Sequence, residues 1–253
     1  MDPGIDYSRT EHTVGEILRR WGPAYSTTHE MTREQRRALS RLSMCRTSAL
    51  GGHLESCDSC GYEHPVYNSC RDRNCPTCQG ISARKWLEAR TAELLHTHYF
   101  HCVFTVPDTL NPLVFTAPTV FYSILFQAMW GTLSSLFSKA GYGTPGILAA
   151  LHTWGSNLWL HPHIHCVVTG GGLSDDQQHW TGSPHDWLLD VYDLSAEFQK
   201  RVLRLLKRRR AHFATAPVDL TGLLASEVER DWVVHCKPPS EGPVQTVSYL
   251  AGY

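Results

Sequence analysis

Apolar and polar positions divide this chain into stretches of different period. Residues from about 8 to 50 recur at helical spacing, with Thr10 or Thr13 placed to cap a first segment ending near Trp21-Gly22-Pro23. Thr32-Arg-Glu-Gln35 has the form of a capping box and opens a second, Arg-rich helix. Residues 51–80 show little periodicity and are punctuated by Gly and Cys, as expected where a metal replaces a hydrophobic core. Ser82–His96 returns to helical spacing through Trp86, Leu87, Leu94 and Leu95.

From Tyr99 the texture becomes that of strands. Tyr99–Val106 alternates in β-rich residues and is stopped by Pro107, and Ile147–Trp154 and His163–Thr169 are further strands, the last ending at Gly170-Gly171-Gly172. Between them Pro118–Lys139 reads as a long amphipathic helix closed by Gly141. Trp187–Val191 reads as a strand, Ser195–Arg210 as a basic helix and Asp231–Cys236 as another strand. Pro243 then opens a final helix from a favourable first-turn position. This order predicts an α+β fold with a mainly antiparallel sheet. The expected domains are a helical and metal-binding 1–96 and a sheet domain 97–253.

Composition narrows the class. The 253 residues are 42% hydrophobic and 19% charged, which is globular rather than disordered. No unbroken apolar run of about 18 residues occurs and Met1-Asp2-Pro3-Gly4 lacks a signal pattern, so the expectation is a cytoplasmic, nucleoid-associated protein of bacterial type without a membrane partner. Net charge is −1, yet basic residues cluster locally: Lys200, Arg201, Arg204, Lys207, Arg208, Arg209 and Arg210 in one segment, Arg33, Arg36, Arg37, Arg41 and Arg46 in another. Such clusters can hold a phosphate backbone, although a solvated helix face looks the same.

Six of nine cysteines fall between Cys45 and Cys78, which favours metal over disulfides in a reduced compartment. Cys57-Asp-Ser-Cys60 and Cys75-Pro-Thr-Cys78 are two knuckles whose spacing predicts a closed, structural Zn²⁺ site. Cys45, Cys70, His53 and His64 stay unassigned between second-shell, second-ion and plain buried roles, the last favoured for Cys45. Arg71 and Arg73 beside the second knuckle, with Lys207, Arg208 and Arg209, are the candidate DNA contacts.

The sharpest chemistry lies in His161-Pro-His163-Ile-His165-Cys166. On a strand, His163 and His165 share one face, where two neutral imidazoles can grip a divalent metal. Gln245, Tyr249 and Tyr253, four apart, share one face of the last helix. Together they suggest phosphodiester chemistry: Mg²⁺ or Mn²⁺ on His163, His165 and a third ligand polarises the phosphate, and tyrosine attacks it. Gln245 is the first choice for that third ligand, with His152 and Asn157 as rivals.

These motifs, with Gly51-Gly-His53, Ser69-Cys-Arg-Asp-Arg-Asn-Cys75, Phe104-Thr-Val-Pro107, Leu151-His-Thr-Trp-Gly155 and Tyr249-Leu-Ala-Gly-Tyr253, give the chain its resemblance to rolling-circle insertion-sequence transposases of the HUH type, over about 45–253. The resemblance implies a ferredoxin-like palm with the His pair on a central strand. It also implies metal-dependent nicking and joining of single-stranded DNA at element ends and target. Carried over, His163 and His165 are metal ligands, and Tyr249 and Tyr253 nucleophiles. Members of that family continue well past the tyrosine helix, so the expectation here is a chain truncated at its C-terminus, with Tyr249 the better nucleophile. A rolling-circle replication initiator and a non-catalytic zinc-containing DNA-binding remnant are the alternatives. Oligomeric state is not legible.

Overall fold

A computed structural model describes residues 13–155, 157–238 and 242–251. The chain divides into two compact units between Glu88 and Ala89, inside a helix rather than after it.

The first unit begins with α1 (Val14–Thr28) and α2 (Arg33–Ser43), each opened by a capping box: Thr13 with Glu16, and Thr32 with Gln35. α1 does not stop at Trp21-Gly22-Pro23. Pro23 forfeits one backbone bond, but Gly22 is buried so closely against Leu39 of α2 that a β-carbon there would lie 2.8 Å from Leu39 Cδ1. That contact carries the helix through the proline. A two-stranded antiparallel ribbon follows, β1 (Gly52–Ser56) with β2 (Glu63–Tyr67), and its side chains are almost all exposed. α3 (Pro76–Ala92) starts earlier than its apolar period suggests, with Pro76 as its first residue.

The second unit opens with β3 (Tyr99–Thr105), a short α4 (Asn111–Thr116) and α5 (Pro118–Lys139). Then come β4 (Thr144–Trp154), β5 (Leu160–Leu173) and the short β6 (Trp180–Gly182). α6 (Val191–Arg208), α7 (Leu220–Val228), β7 (Val234–Lys237) and α8 (Pro243–Ala251) complete it. The expected strand at Trp187–Val191 does not form. Asp190 accepts from the backbone N–H groups of Tyr192 and Asp193, and this N-cap starts α6 four residues before Ser195.

The sheet order is β4-β5-β3-β7, every pair antiparallel, with β6 on the far end of β5. Setting aside α4, α7, β6 and the final α8, the chain order is βαββαβ with the first strand central, the ferredoxin-like arrangement. Even-numbered residues of β3, β5 and β7 (Phe100, Cys102, Phe104, Ile164, Cys166, Val168, Val234) form the core with Phe121, Ile124, Leu125, Ala128 and Phe137 of α5 and Leu194, Phe198, Val202 and Leu206 of α6. α5 is long and apolar enough to cross a membrane by length and composition. Here its apolar face is the inner layer of the core, and Phe121, Ile124, Leu125 and Phe137 are fully buried. With α5 and α6 backing one face, the odd-numbered face is left for chemistry, and α8 packs there by burying Val247 and Leu250.

Candidate metal centres

The alternation of β3, β4 and β5 brings His101, His152, His163 and His165 together on the odd face. His152 of β4 stands directly opposite His163 of β5, while Val103 of β3 stands opposite His165 and places His101 one pleat away. Ligating nitrogens of His152, His163 and His165 lie within 4.8 Å of one another. His163 donates from Nδ1 to the His161 carbonyl at 2.7 Å, which leaves Nε2 free to coordinate. His165 Nδ1 is hydrogen-bonded to His101 Nε2 at 2.9 Å, which fixes that ring in the same way. Burial, then the neighbouring imidazoles, lowers His165 to about 3 and His152 to about 4. His163 and His101 are lowered too, chiefly by burial. At neutral pH these rings are uncharged, the state a metal requires.

Tyr249 of α8 stands over this group. Its ring centre lies 5.5 Å from that of His165, 6.1 Å from His152 and 6.4 Å from His101, and the residue keeps 45% of its surface exposed. Val247 and Leu250, one on each side of it in sequence, anchor the helix. Gln245 lies one turn earlier and is exposed, and the residue whose nitrogen lies with those of His163 and His165 is its rival His152. Tyr253 lies outside the described residues. Asn157 is on the β4–β5 loop, where its Oδ1 accepts from Trp159 N.

The second cluster is in the first unit. Cys45, Cys70, Cys75 and Cys78 place their sulfurs within 4.8 Å of each other, with contacts of 3.5 Å from Cys78 to Cys45 and Cys70 and 3.6 Å from Cys75 to Cys45. A tetrahedron with Zn–S near 2.3 Å has sulfurs about 3.8 Å apart, so the four fit a structural zinc. Burial raises Cys45 and drives Cys70 up to about 12. Burial acts on Cys78 as well, but hydrogen bonds from Cys45 and Cys70 outweigh it and hold that thiol at about 7. One thiolate stabilised by neighbouring thiols is what such a cluster adopts until a cation displaces the protons.

The two knuckles do not close one site together. Cys75 and Cys78 join the cluster, but Cys57 and Cys60 sit exposed at the ribbon tip, where Gly61 turns at φ +69°. Hydrogen bonds from Ser59, side chain and backbone, lower Cys57 to about 6. The reason is topological. The ladder from Gly52↔Tyr67 to Ser56↔Glu63 carries this knuckle out to the tip and brings together the chain at its base, where Asn68 N donates to Gly51 O at 3.0 Å. Cys45 and Cys70 flank that base. Arg41 fastens it by donating to the Cys70 carbonyl at 2.6 Å, and Arg71 turns at φ +52°.

Of the other expected DNA contacts, Arg71 and Arg73 are exposed beside the cysteine cluster and line a cavity of about 410 Å³ with Arg37 and Arg41. Lys207 and Arg208 are exposed at the end of α6, and Arg209 is tied to Gln127 Oε1 at 2.9 Å. α6 packs on the core face, so those cations belong to the side of the sheet away from the histidines. The odd face carries a cation that spacing alone did not single out, Lys237 of β7, opposite His101.

A ferredoxin-like sheet with three histidines under a tyrosine, preceded by a four-cysteine module, defines a two-part protein with two candidate metal centres. Comparison places it more closely. Residues 17–106 match the family described as "Transposase zinc-binding domain", and residues 146–253 that described as "Putative transposase". "Putative transposase y4qJ" of Sinorhizobium fredii (strain NBRC 101917 / NGR234) is 39% identical over 97% of this chain, and "Transposase for insertion sequence element IS801" of Pseudomonas savastanoi pv. phaseolicola is 30% identical over 85%. The chain belongs to the rolling-circle insertion-sequence transposase family. It spans 65% and 53% of the lengths of those two relatives. No solved structure matches it.

Proposed function

We propose that this chain is the nicking and joining part of an insertion-sequence transposase acting on single-stranded DNA at element ends and target. The observation that carries the proposal is Tyr249 standing over His152, His163 and His165, with its ring centre 5.5 Å from that of His165. The three imidazoles would hold the catalytic divalent ion, which polarises the scissile phosphate and offsets the charge that develops on it. Three nitrogens suit Mn²⁺ better than the harder Mg²⁺, which favours oxygen ligands.

Tyr249 Oη attacks phosphorus. A phosphotyrosine bond forms to the 5′ phosphate, the P–O3′ bond breaks, and the departing O3′ takes a proton. Reversal by another 3′ hydroxyl forms the new phosphodiester and frees the tyrosine, so no nucleotide cofactor is consumed. His101 acts through His165 as a positioning residue. Tyr253, at the same spacing, is the second nucleophile of the pair. Zinc on Cys45, Cys70, Cys75 and Cys78 is structural, since four thiolates leave no open position.

The test is a denaturing gel of protein, Mn²⁺ and a labelled single-stranded oligonucleotide spanning the end of the element. A covalent band that needs the metal and vanishes in Tyr249→Phe and His163→Ala supports the reading. A band that persists in Tyr249→Phe but not in Tyr253→Phe reassigns the nucleophile. Absence of any band with metal and DNA both bound removes the proposed chemistry.

A further inference from the structure

The β4–β5 hairpin ends beside the histidines in an exposed apolar tip. Trp159 is 76% exposed and Leu158 80%, and Leu158 adopts φ +62°, which a β-carbon disfavours. Two large apolar side chains held in water on a strained turn mark a binding surface rather than a fold requirement. The tip is nonetheless well built. Gly155 N donates to Trp159 O at 3.0 Å, Leu158 N to Gly155 O at 2.9 Å, and Asn111 Nδ2 of α4 to Leu160 O at 2.9 Å.

Against this tip lies a cavity of about 730 Å³ lined by Asp108, Asn111, Asn157, Trp159 and His161. That volume is within the range of small-ligand sites. Its neighbour is the metal cluster, for the His161 ring centre lies 5.4 Å from that of His163. The polar groups are arranged in a definite sense. One Asp108 oxygen accepts from His161 Nδ1 at 3.0 Å, leaving the other as an acceptor, and the carboxylate is 72% exposed. Asn157 uses Oδ1 on Trp159 N, leaving its amide N–H groups as donors.

We infer that this cavity is a nucleobase subsite: Trp159 stacks on one base of the strand beside the scissile phosphate, and Asp108 accepts from that base's exocyclic amine. A phosphate does not fit, because it would meet the Asp108 carboxylate. A base fits on both counts, since indoles stack on any base and a carboxylate selects an amine edge such as cytosine N4 or adenine N6 over thymine, which has none. This assignment rests on the single-stranded DNA reading above.

The test is a binding titration by anisotropy on the zinc-containing protein without added Mn²⁺ or Mg²⁺, at fixed salt, with the labelled octamers (dC)8, (dA)8 and (dT)8. Homopolymers present the same base in every register, so the subsite is filled whichever nucleotide enters. Wild type should bind (dC)8 and (dA)8 about five-fold or more tightly than (dT)8. Trp159→Ala should weaken all three by about five-fold or more, while Trp159→Phe, which still stacks, retains most of the affinity. Asp108→Ala, which removes the acceptor, should erase the preference over (dT)8 while leaving (dT)8 affinity in place. A Trp159→Ala protein that binds like wild type, a preference that survives Asp108→Ala, or no octamer binding at all overturns the subsite. The covalent-adduct assay fails separately: an adduct with an indifferent Trp159 removes the subsite and keeps the chemistry, whereas a Trp159-dependent affinity without adduct does the reverse.

Discussion

Among single residues, the histidines carry the sharpest consequences. In the proposed site His152 adds a third nitrogen from a strand next to the one bearing His163 and His165, and its imidazole is buried beside theirs. His152→Ala should therefore weaken Mn²⁺ binding, measured by calorimetry, as much as His163→Ala does. Gln245→Ala should leave it near wild type. His101→Ala, which removes only the partner of His165 Nδ1, should cost roughly ten- to a hundred-fold in metal affinity. Equal losses in His152→Ala and Gln245→Ala would mean that the helix moves in to coordinate. Acid has its own signature on the metal-free chain. His165 at about 3 and His152 at about 4 lie below the value near 6.5 expected when unfolded, so on acidification the unfolded chain takes up protons first. Stability is whole above about pH 6.5 and falls as pH drops towards 4. Urea melts in EDTA at pH 7 and pH 5 should show that loss, reduced in His165→Asn.

The regular elements were legible where local chemistry and period agree. Thr13, Thr32 and Pro118 announce their helices, and the alternation through Tyr99–Val106 and His163–Thr169 fixes which side chains share a face. What spacing could not supply is pairing. The partner of a strand is chosen by the ladder, so spacing ranked His152 behind Gln245 as a third ligand, and only the β4–β5 register puts it beside His163. The same limit explains the cysteines. Two Cys-x-x-Cys knuckles suggest each other, yet the β1–β2 ribbon carries one away and closes its base near Cys45 and Cys70. Zinc content measured by atomic absorption should fall to background in Cys45→Ser and Cys70→Ser, with a large drop in melting temperature, because the cysteines that would hold the metal make up most of this module's small buried cluster. Cys57→Ser and Cys60→Ser should keep both. Zinc loss in the knuckle pair and not in Cys45→Ser would restore the spacing-based assignment.

Across the sheet domain, the division into a packed face and an open face decides which cations could meet DNA at the proposed site. Counting charge along the chain favours Lys207, Arg208 and Arg209, since they are densest there. However, α6 turns its apolar stripe onto the core face, its basic end complements the helix dipole, and Arg209 is engaged with Gln127 of α5. Lys237 is sparse in sequence and easily overlooked, but β7 sets it exposed on the odd face opposite His101. A phosphate running over the histidines would pass this edge of the sheet. Lys237→Ala should then weaken binding of single-stranded DNA about equally for all sequences and reduce the slope of log affinity against log salt by about 0.7, the contribution of one single-strand phosphate contact. Lys207→Ala with Arg208→Ala should leave the rate of adduct formation on short oligonucleotides unchanged. If the double variant abolishes the adduct and Lys237→Ala does nothing, the strand runs along the helical side, and the histidines cannot be where it is cut.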